Sequence, residues 1–179
     1  MSRFYISESF FPGQHYEITS ATLEHIRALR LTQGDTVFIF NGQGQEWQAR
    51  ITALEKRTAT LEILSVKDNH RESPLKIHLA QGVARGEKMD FILQKATELG
   101  TSELTPVLTQ FGNVKVHEDR KAHKQEHWNR VVISASEQCG RSTLMTLHPP
   151  TMFSDFIQQT SRHTDTLKLI LHPEDTQLT

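Results

Sequence analysis

Residues 82–100, GVARGEKMDFILQKATELG, decide the fold of this chain. An apolar run ends at a charged turn, residues 85–88, and a helical pattern follows that turn. Gly100 stands where a helix commonly ends, and the apolar residues recur at helical spacing: Met89, Ile92, Leu93, Ala96 and Leu99. A second apolar segment, 104–108, comes next. Strand, turn, helix and strand predict a βαβ unit in a parallel sheet, and ligands bind such sheets at the carboxyl ends of the strands. The turn 85–88 is therefore the first candidate for a functional site.

The composition predicts a soluble protein without a membrane segment. The chain has 179 residues, of which 36% are hydrophobic and 23% are charged. No apolar run approaches the roughly 20 residues that a membrane helix needs, and the N-terminus does not resemble a signal peptide. The single cysteine, Cys139, excludes an internal disulfide framework and is typical of a cytoplasmic protein. The net charge of -1 gives no overall attraction to nucleic acid, so an RNA-binding surface would be a local patch.

The pattern changes near residue 74, where we expect a domain boundary. Residues 1–70 are predicted to form a small β-barrel with strands near 3–6, 16–18, 36–40, 46–53 and 58–66. A short helix carries Leu23 and Ile26, and the polar segment 67–74 is predicted to be a linker. Residues 75–179 alternate strands (75–83, 103–109, 144–148, 167–172) with helices (87–99, 120–139, 152–160). This order predicts an α/β domain after the barrel.

Two helix faces suggest further sites. On the first helix of the α/β domain, Lys88, Phe91, Lys95 and Glu98 share a face that is either solvated or in contact with a partner. On the next helix, His123, Glu126 and His127 match the H-x-x-E-H spacing of a class of zinc proteases. Both histidines flank the apolar stripe (Trp128, Val131, Val132, Ala135, Cys139) and lack an evident third ligand. We therefore expect no metal there.

The segment 136–141, SEQCGR, ends that helix. Gly140 is the predicted C-cap, and Cys139 lies on the apolar stripe, which favours a buried, inert thiol. Neither G-x-G-x-x-G nor G-x-x-x-x-G-K-[ST] occurs, which argues against an ordinary dinucleotide or triphosphate site.

Several short motifs together resemble one family. They occur in matching order from residue 3 to about 173: RFY (3–5), HIRALRL (25–31), GD (34–35), RESPL (71–75), RGEKM (85–89), QKATELG (94–100), TP (105–106) and EQCGR (137–141). The chain is similar in these motifs to the RsmE-type small-subunit ribosomal RNA uridine N3-methyltransferases.

The resemblance implies an N-terminal PUA-like RNA-binding barrel followed by a SPOUT methyltransferase domain, whose chain forms a trefoil knot. It also implies S-adenosylmethionine as methyl donor, a homodimer, and uridine in small-subunit ribosomal RNA, free or in the assembled subunit, as substrate. Family members continue beyond Leu171, His172 and Pro173, the expected cofactor contacts, with segments that tie the knot and hold most of the cofactor. The resemblance therefore predicts an incomplete cofactor site and little activity for the 179 residues by themselves.

Site residues follow from this expectation. Arg85 and Lys88 would supply a cation near the uracil oxygens or hold a phosphate, because charge collects on those oxygens as N3 loses its proton. The secondary catalytic candidates are Glu98, Glu137 and Arg141, without a named base. The expected contacts to RNA backbone are Arg3, His25, Arg27 and Arg30. A non-catalytic RNA-binding module is the alternative function, and a zinc hydrolase through residues 123–127 is the remote one.

Overall fold

The computed structural model describes residues 1–69, 71–110, 118–161 and 164–171 and contains two sheets in this part of the chain. The elements around the first sheet are β1 (Arg3–Tyr5), β2 (His15–Ile18), α1 (Ser20–Ala28), β3 (Thr36–Phe40), β4 (Glu46–Leu54) and β5 (Ala59–Lys67). The elements around the second sheet are β6 (His78–Gly82), α2 (Glu87–Glu98), β7 (Glu103–Leu108), α3 (Glu118–Cys139), β8 (Thr146–Leu147), β9 (Thr151–Met152) and α4 (Phe153–Thr160). None of the described helices has the length and apolar character needed to span a membrane.

The first sheet is a curled half-barrel with strand order β1-β3-β4-β5-β2. Only the β1–β3 pair is parallel, and the other pairs are antiparallel. On β5, Ala59, Leu61 and Ile63 are buried while the residues between them are half-buried, which confirms the predicted alternation. Leu23 and Ile26 of α1 pack into the same apolar core. This is the predicted PUA-like unit.

The second sheet is parallel throughout, as the βαβ pattern predicts. β6 and β8 flank β7, and β9 also pairs with β7, beyond the end of β8. The predicted strand at 144–148 is shorter than expected, because the Leu144 N–H donates to the Gly42 carbonyl at 2.9 Å instead of to the sheet, and Pro149 and Pro150 have no N–H for a ladder. Pairing resumes at Thr151, so β8 and β9 act as one interrupted strand.

Helices α2 and α3 cover one face of this sheet. The shared core contains side chains from both helices and from the sheet: Met89, Leu93, Ala96, Leu104, Trp128, Val132 and Met145. The predicted stripe is wrong at Leu99, which is 81% exposed, whereas Thr97 is fully buried. The helix ends as predicted before Gly100, whose φ of 88° permits the Thr101 N–H to reach the Ala96 carbonyl at 3.0 Å. Cys139 is half-buried rather than fully buried.

The predicted strand at 167–172 is absent from residues 167–171, and His172 lies outside the described residues. A strand needs a neighbour for its backbone N–H and C=O groups, and no ladder partner contacts these five residues within the described chain. Their apolar side chains are 78–98% exposed: Leu167, Leu169, Ile170 and Leu171.

Candidate functional site

The charged turn lies where the βαβ pattern places it, after β6 and at the start of α2. The Lys88 N–H donates to the Arg85 carbonyl at 3.2 Å, and the Met89 N–H donates to the Gly86 carbonyl at 3.0 Å. These bonds form the first turn of α2 at the carboxyl edge of the sheet. The side chains of Arg85 and Lys88 are both exposed there. Two exposed cations beside a helix N-terminus favour the binding of a group that is anionic or that gains negative charge during a reaction.

The outer face of α2 contains a local ion pair. Lys95 Nζ lies 2.7 Å from the Glu98 carboxylate and 5.7 Å from the centre of the Phe91 ring. The hydrogen bond from Lys95, with a second from Gln94, lowers the pKa of Glu98, so this carboxylate is ionised at neutral pH. Phe91 is 59% exposed beside it. These contacts stabilise the outer face of α2 and give Glu98 a partner other than substrate.

An open groove runs between the outer faces of α2 and α3, with a volume of about 1020 Å³. His127 bridges the two helices, since its Nε2 lies 2.9–3.0 Å from both oxygens of Asp90. His127 is therefore paired with α2, and neither it nor His123 belongs to a group of three metal ligands in the described part of the chain. The groove is lined by polar and apolar residues: Glu87, Lys88, Asp90, Phe91, Ile92, Gln94, His127, Arg130, Val131, Ser134, Ala135 and Gln138.

Arg141 lies in a buried network that joins the two sheets. Its Nε and Nη2 donate to the two oxygens of Glu72 at 3.1 and 2.8 Å. Its Nη1 donates to the carbonyls of Thr97 and Thr101, at the end of α2, at 2.8 and 3.0 Å. Arg141 is 5% exposed. Its contacts favour a structural role over the predicted catalytic one, which stays a prediction.

The motifs RESPL and EQCGR meet at this point. Gly140 has a φ of 88°, and a Cβ at this position would lie 2.0 Å from Nη1 of Arg71. Arg71 in turn reaches the Cys139 carbonyl at 3.5 Å. The backbone conformation favours glycine at this position, whereas the nearby guanidinium is the end of an exposed side chain that can move aside. The two motifs therefore contact each other in the fold.

Arg3 occupies a similar buried position on the other side of the network. It pairs with Glu46 and also donates to the Arg141 carbonyl at 3.1 Å and the Ser142 hydroxyl at 3.3 Å. Burial disfavours the charged form of Glu46, but hydrogen bonds from Arg3, Ser142 and Asn69 outweigh it and lower the pKa of this carboxyl. The Arg3 side chain is 11% exposed. Its contacts favour holding the two sheets together over binding RNA.

Glu137 makes a second link between α3 and the first sheet. Its carboxylate accepts the Tyr5 N–H at 3.0 Å and lies 3.7 Å from Nδ1 of His25. Burial raises the pKa of Glu137, and the Tyr5 N–H and the charges of His25 and Arg3 offset only part of that rise. Sequence reasoning singled out Glu137 and His25 for separate roles, whereas the structure brings them together at the junction.

The remaining RNA-contact candidates lie at the end of α1. Arg27 Nη2 donates to the carbonyls of Glu55 and Lys56 in the β4–β5 turn, although its side chain is on the surface. Arg30 is exposed, and no described residue forms a hydrogen bond or ion pair with its side chain. Of the cofactor candidates, Leu171 is 98% exposed, and His172 and Pro173 lie outside the described residues.

Sequence reasoning missed Glu46, Asn69, Glu72 and Ser142 as members of the junction. The Asn69 amide bonds to the Glu46 carboxylate at 2.8 Å and to the Gly140 carbonyl at 3.1 Å. Ser142 donates to Glu46 at 2.8 Å across 96 residues of sequence. The only sequence signal for Glu72 was its place in the RESPL motif. Contacts between residues so far apart in the sequence produce no spacing pattern that could predict them.

Both parts of the chain are similar to known proteins. A family model described as an RNA methyltransferase domain matches residues 71–179, and one described as an RNA methyltransferase PUA domain matches residues 18–64. A Legionella pneumophila structure, described as a methyltransferase in complex with the bound cofactor SAM, is 37% identical. It superposes with a TM-score of 0.90 over 97% of this chain and 71% of that one.

Two further relatives have more specific names. Ribosomal RNA small subunit methyltransferase E from Neisseria gonorrhoeae, bound to S-adenosyl methionine, is 35% identical, with a TM-score of 0.86 over 89% of this chain and 66% of that one. The protein of the same name from Buchnera aphidicola subsp. Schizaphis graminum is 29% identical over 97% of this chain and 70% of its own length. The family expected from the motifs is confirmed: this chain belongs to the RNA methyltransferase family, with a PUA domain preceding the methyltransferase domain.

Proposed function

We propose that the protein transfers a methyl group from S-adenosylmethionine to N3 of a uridine in small-subunit ribosomal RNA. The observation that carries this proposal is the likeness to the Legionella pneumophila structure with bound SAM, which extends over 97% of the chain at 37% identity. The name shared by the Neisseria and Buchnera relatives supports ribosomal RNA as the substrate. The exposed cations of the α2 turn support the site.

The cofactor supplies an electrophilic methyl group on a sulfonium. The fully exposed apolar side chain of Leu171 is suited to pack against an adenine ring, and we propose Leu171, His172 and Pro173 as cofactor contacts. The chain's own residues orient the uridine and stabilise its charge. Arg85 and Lys88 lie at the strand edge where ligands bind parallel sheets, and they would hold the uracil oxygens as the N3 proton is lost.

The target uridine must be unpaired, because N3 carries the proton of a Watson–Crick pair. Arg30, exposed two residues beyond α1, is the RNA-backbone contact that the geometry supports best. His25, Arg27 and Arg3 remain candidates, although each of them contacts protein atoms. We propose an RNA-binding domain at residues 1–70 and a methyltransferase domain at 75–179, which is supported by the separate matches to 18–64 and 71–179.

A homodimer and a cytoplasmic location are also proposed. Exposed Phe91 beside the apolar lining of the α2–α3 groove supports a partner on this face, and a ribosomal RNA substrate supports the location. Light scattering of wild type and Phe91→Glu is the measurement for the dimer. A dimer that becomes monomeric in the variant is the expected result, and a wild-type monomer would contradict it.

Methyl transfer is tested with tritiated S-adenosylmethionine and unmodified small-subunit ribosomal RNA. Two forms are compared: the 179 residues alone, and the same residues followed by the part of the Legionella relative that they do not match. We expect the extended form to label the RNA and to stop reverse transcriptase at one uridine, because N3-methylation blocks pairing. RNA binding without labelling by either form would support the non-catalytic alternative and overturn the proposal.

A further inference from the structure

His78, Glu103 and His148 form a cluster on the second sheet, away from the α2 turn. One ring nitrogen of each histidine and one oxygen of Glu103 all lie within 4.8 Å of one another. Within the described residues this is the one group of three potential metal ligands. The sequence gives no hint of it, since the three residues are separated by 25 and 45 positions.

Sheet register places the three side chains on one face. His78 and Glu103 are the first residues of β6 and β7 and stand opposite each other in the ladder. Glu103 also pairs with Thr146, and His148 follows two residues later, on the same side as Thr146 by strand alternation. The neighbouring residues Leu79, Leu104 and Leu147 contact the core under α2 and α3. The cluster therefore lies on the opposite face, towards α4.

The side chains already hold one another in position. Nε2 of His148 lies 2.7 Å from the Glu103 carboxylate, and the two imidazole rings are 5.3 Å apart. Nε2 of His78 lies 2.7 Å from the Thr105 hydroxyl. The Phe156 ring of α4 meets the His78 ring edge-on at 5.6 Å. A hydroxyl partner and a packed ring are the kind of outer contacts that orient metal-bound imidazoles.

From this geometry we propose that His78, Glu103 and His148 bind one divalent transition-metal ion, with Zn²⁺ as the favoured ion. Two imidazoles and a carboxylate are ligands that zinc takes in protein sites. Ligand atoms around a tetrahedral zinc lie roughly 3.3 Å apart, given bonds of about 2.0–2.2 Å, so small side-chain rotations close the site. The ion would replace the hydrogen bond between His148 and Glu103, whose proton would pass to solvent, and water would complete the coordination.

The site joins strands rather than serving methyl transfer. Its ligands come from β6, β7 and the residue after β8, at the end of β6 and β7 opposite to Arg85 and Lys88. A bound ion would cross-link the strands on both sides of β7. It would therefore stabilise the folded chain, because the unfolded chain does not hold the three ligands together.

The test uses untagged, chelator-treated protein. Zn²⁺ is titrated by calorimetry, and Co²⁺ binding is followed by its visible absorption. We expect one equivalent of either metal to bind, with a rise in melting temperature. His148→Gln and Glu103→Gln should each weaken binding by at least about tenfold. Circular dichroism and urea unfolding in chelator identify any variant that fails to fold.

The matched control is the double variant His123→Gln/His127→Gln, which removes the other closely spaced histidine pair. It should bind the metal as tightly as wild type. No saturable binding by folded wild type would overturn the proposal, as would equal affinity in a folded His148→Gln variant. The readout is binding itself, so the outcome does not depend on methyl transfer.

Discussion

Two regions of the molecule contain pairs of cations taken from the family motifs, and they use those cations in opposite ways. At the junction of the two sheets, Arg141 is buried and Arg3 is nearly so, and both donate to carboxylates and carbonyl groups. At the start of α2, Arg85 and Lys88 are exposed at the ligand-binding edge. The sequence motifs alone do not separate these roles.

The difference follows from the cost of burying charge. A guanidinium group inside a protein is stable only when carboxylates and carbonyl oxygens replace its water, and the junction supplies four such contacts to Arg141. A cation at the surface stays in contact with water, as the exposed Arg85 and Lys88 do. We therefore expect changes at the junction to reduce stability and changes at the turn to reduce activity.

Arg141→Ala should have the largest effect. It leaves Glu72 and the carbonyls of Thr97 and Thr101 without their donor, and we expect a loss of about 3 kcal/mol in the free energy of unfolding. Urea denaturation is the measurement. Arg130→Ala removes an exposed arginine of α3 and should change stability by less than about 0.5 kcal/mol. Equal losses in the two variants would contradict the structural role of Arg141.

Removing the turn cations should instead reduce methyl transfer. Arg85→Ala and Lys88→Ala should each lower kcat by about 100-fold, the usual effect of deleting one group that stabilises developing charge. The unfolding free energy of Lys88→Ala should stay within about 0.5 kcal/mol of wild type. The assay uses the form of the protein that labels RNA, and Arg57→Ala, on the β4–β5 turn, is the control. Unchanged kcat in both variants would remove the turn from the site.

The two junction carboxylates should respond to pH in opposite directions. The pKa of Glu46 is lowered in the folded protein, so its ionisation stabilises the fold above the usual pKa of about 4.5 and stops doing so as pH falls through the folded value. Glu46→Gln should therefore be less stable than wild type at pH 7, and the difference should shrink in acid. Unfolding free energies measured from pH 3 to 8 check this.

For Glu137 the pH dependence of the stability contribution has the opposite sign. Its pKa is raised, so its contribution is fully present below about pH 4.5 and is lost as pH rises through the folded value. Relative to wild type, Glu137→Gln should gain stability with rising pH over that window. Parallel pH profiles for the two glutamine variants would show that burial and hydrogen bonding do not separate these carboxylates as described.

The smallest effect is expected at the C-terminal end of α1 and just beyond it. Arg30→Ala should weaken RNA binding and reduce its salt dependence by roughly one unit of slope, because a free surface cation releases a counterion on phosphate contact. Arg27→Ala should mainly loosen the β4–β5 turn, at a cost of about 1 kcal/mol. Filter binding at several salt concentrations measures the first effect and urea denaturation the second. If Arg27→Ala alone reduced the salt dependence of RNA binding, Arg27 rather than Arg30 would be the phosphate contact.

Much of the fold was predictable, because the spacing of apolar residues along the chain indicates which segments form strands and which form helices. The alternation of Ala59, Leu61 and Ile63 predicted β5, and the helical spacing of Met89, Leu93 and Ala96 predicted α2. The parallel sheet and the position of the α2 turn followed from their order along the chain. The prediction that Leu99 is buried was wrong, because the last turn of α2 extends beyond the edge of the core.

The sequence by itself therefore determined the two sheets, the family and the position of the cationic turn, because periodicity and motifs act over short ranges. Only the tertiary structure decided which motif residues are buried. The contacts of Arg141 with Glu72, and of His148 with Glu103, join residues 69 and 45 positions apart. Whether a charged side chain binds protein or remains in water depends on the neighbours that folding brings to it, and those neighbours come from other strands and helices.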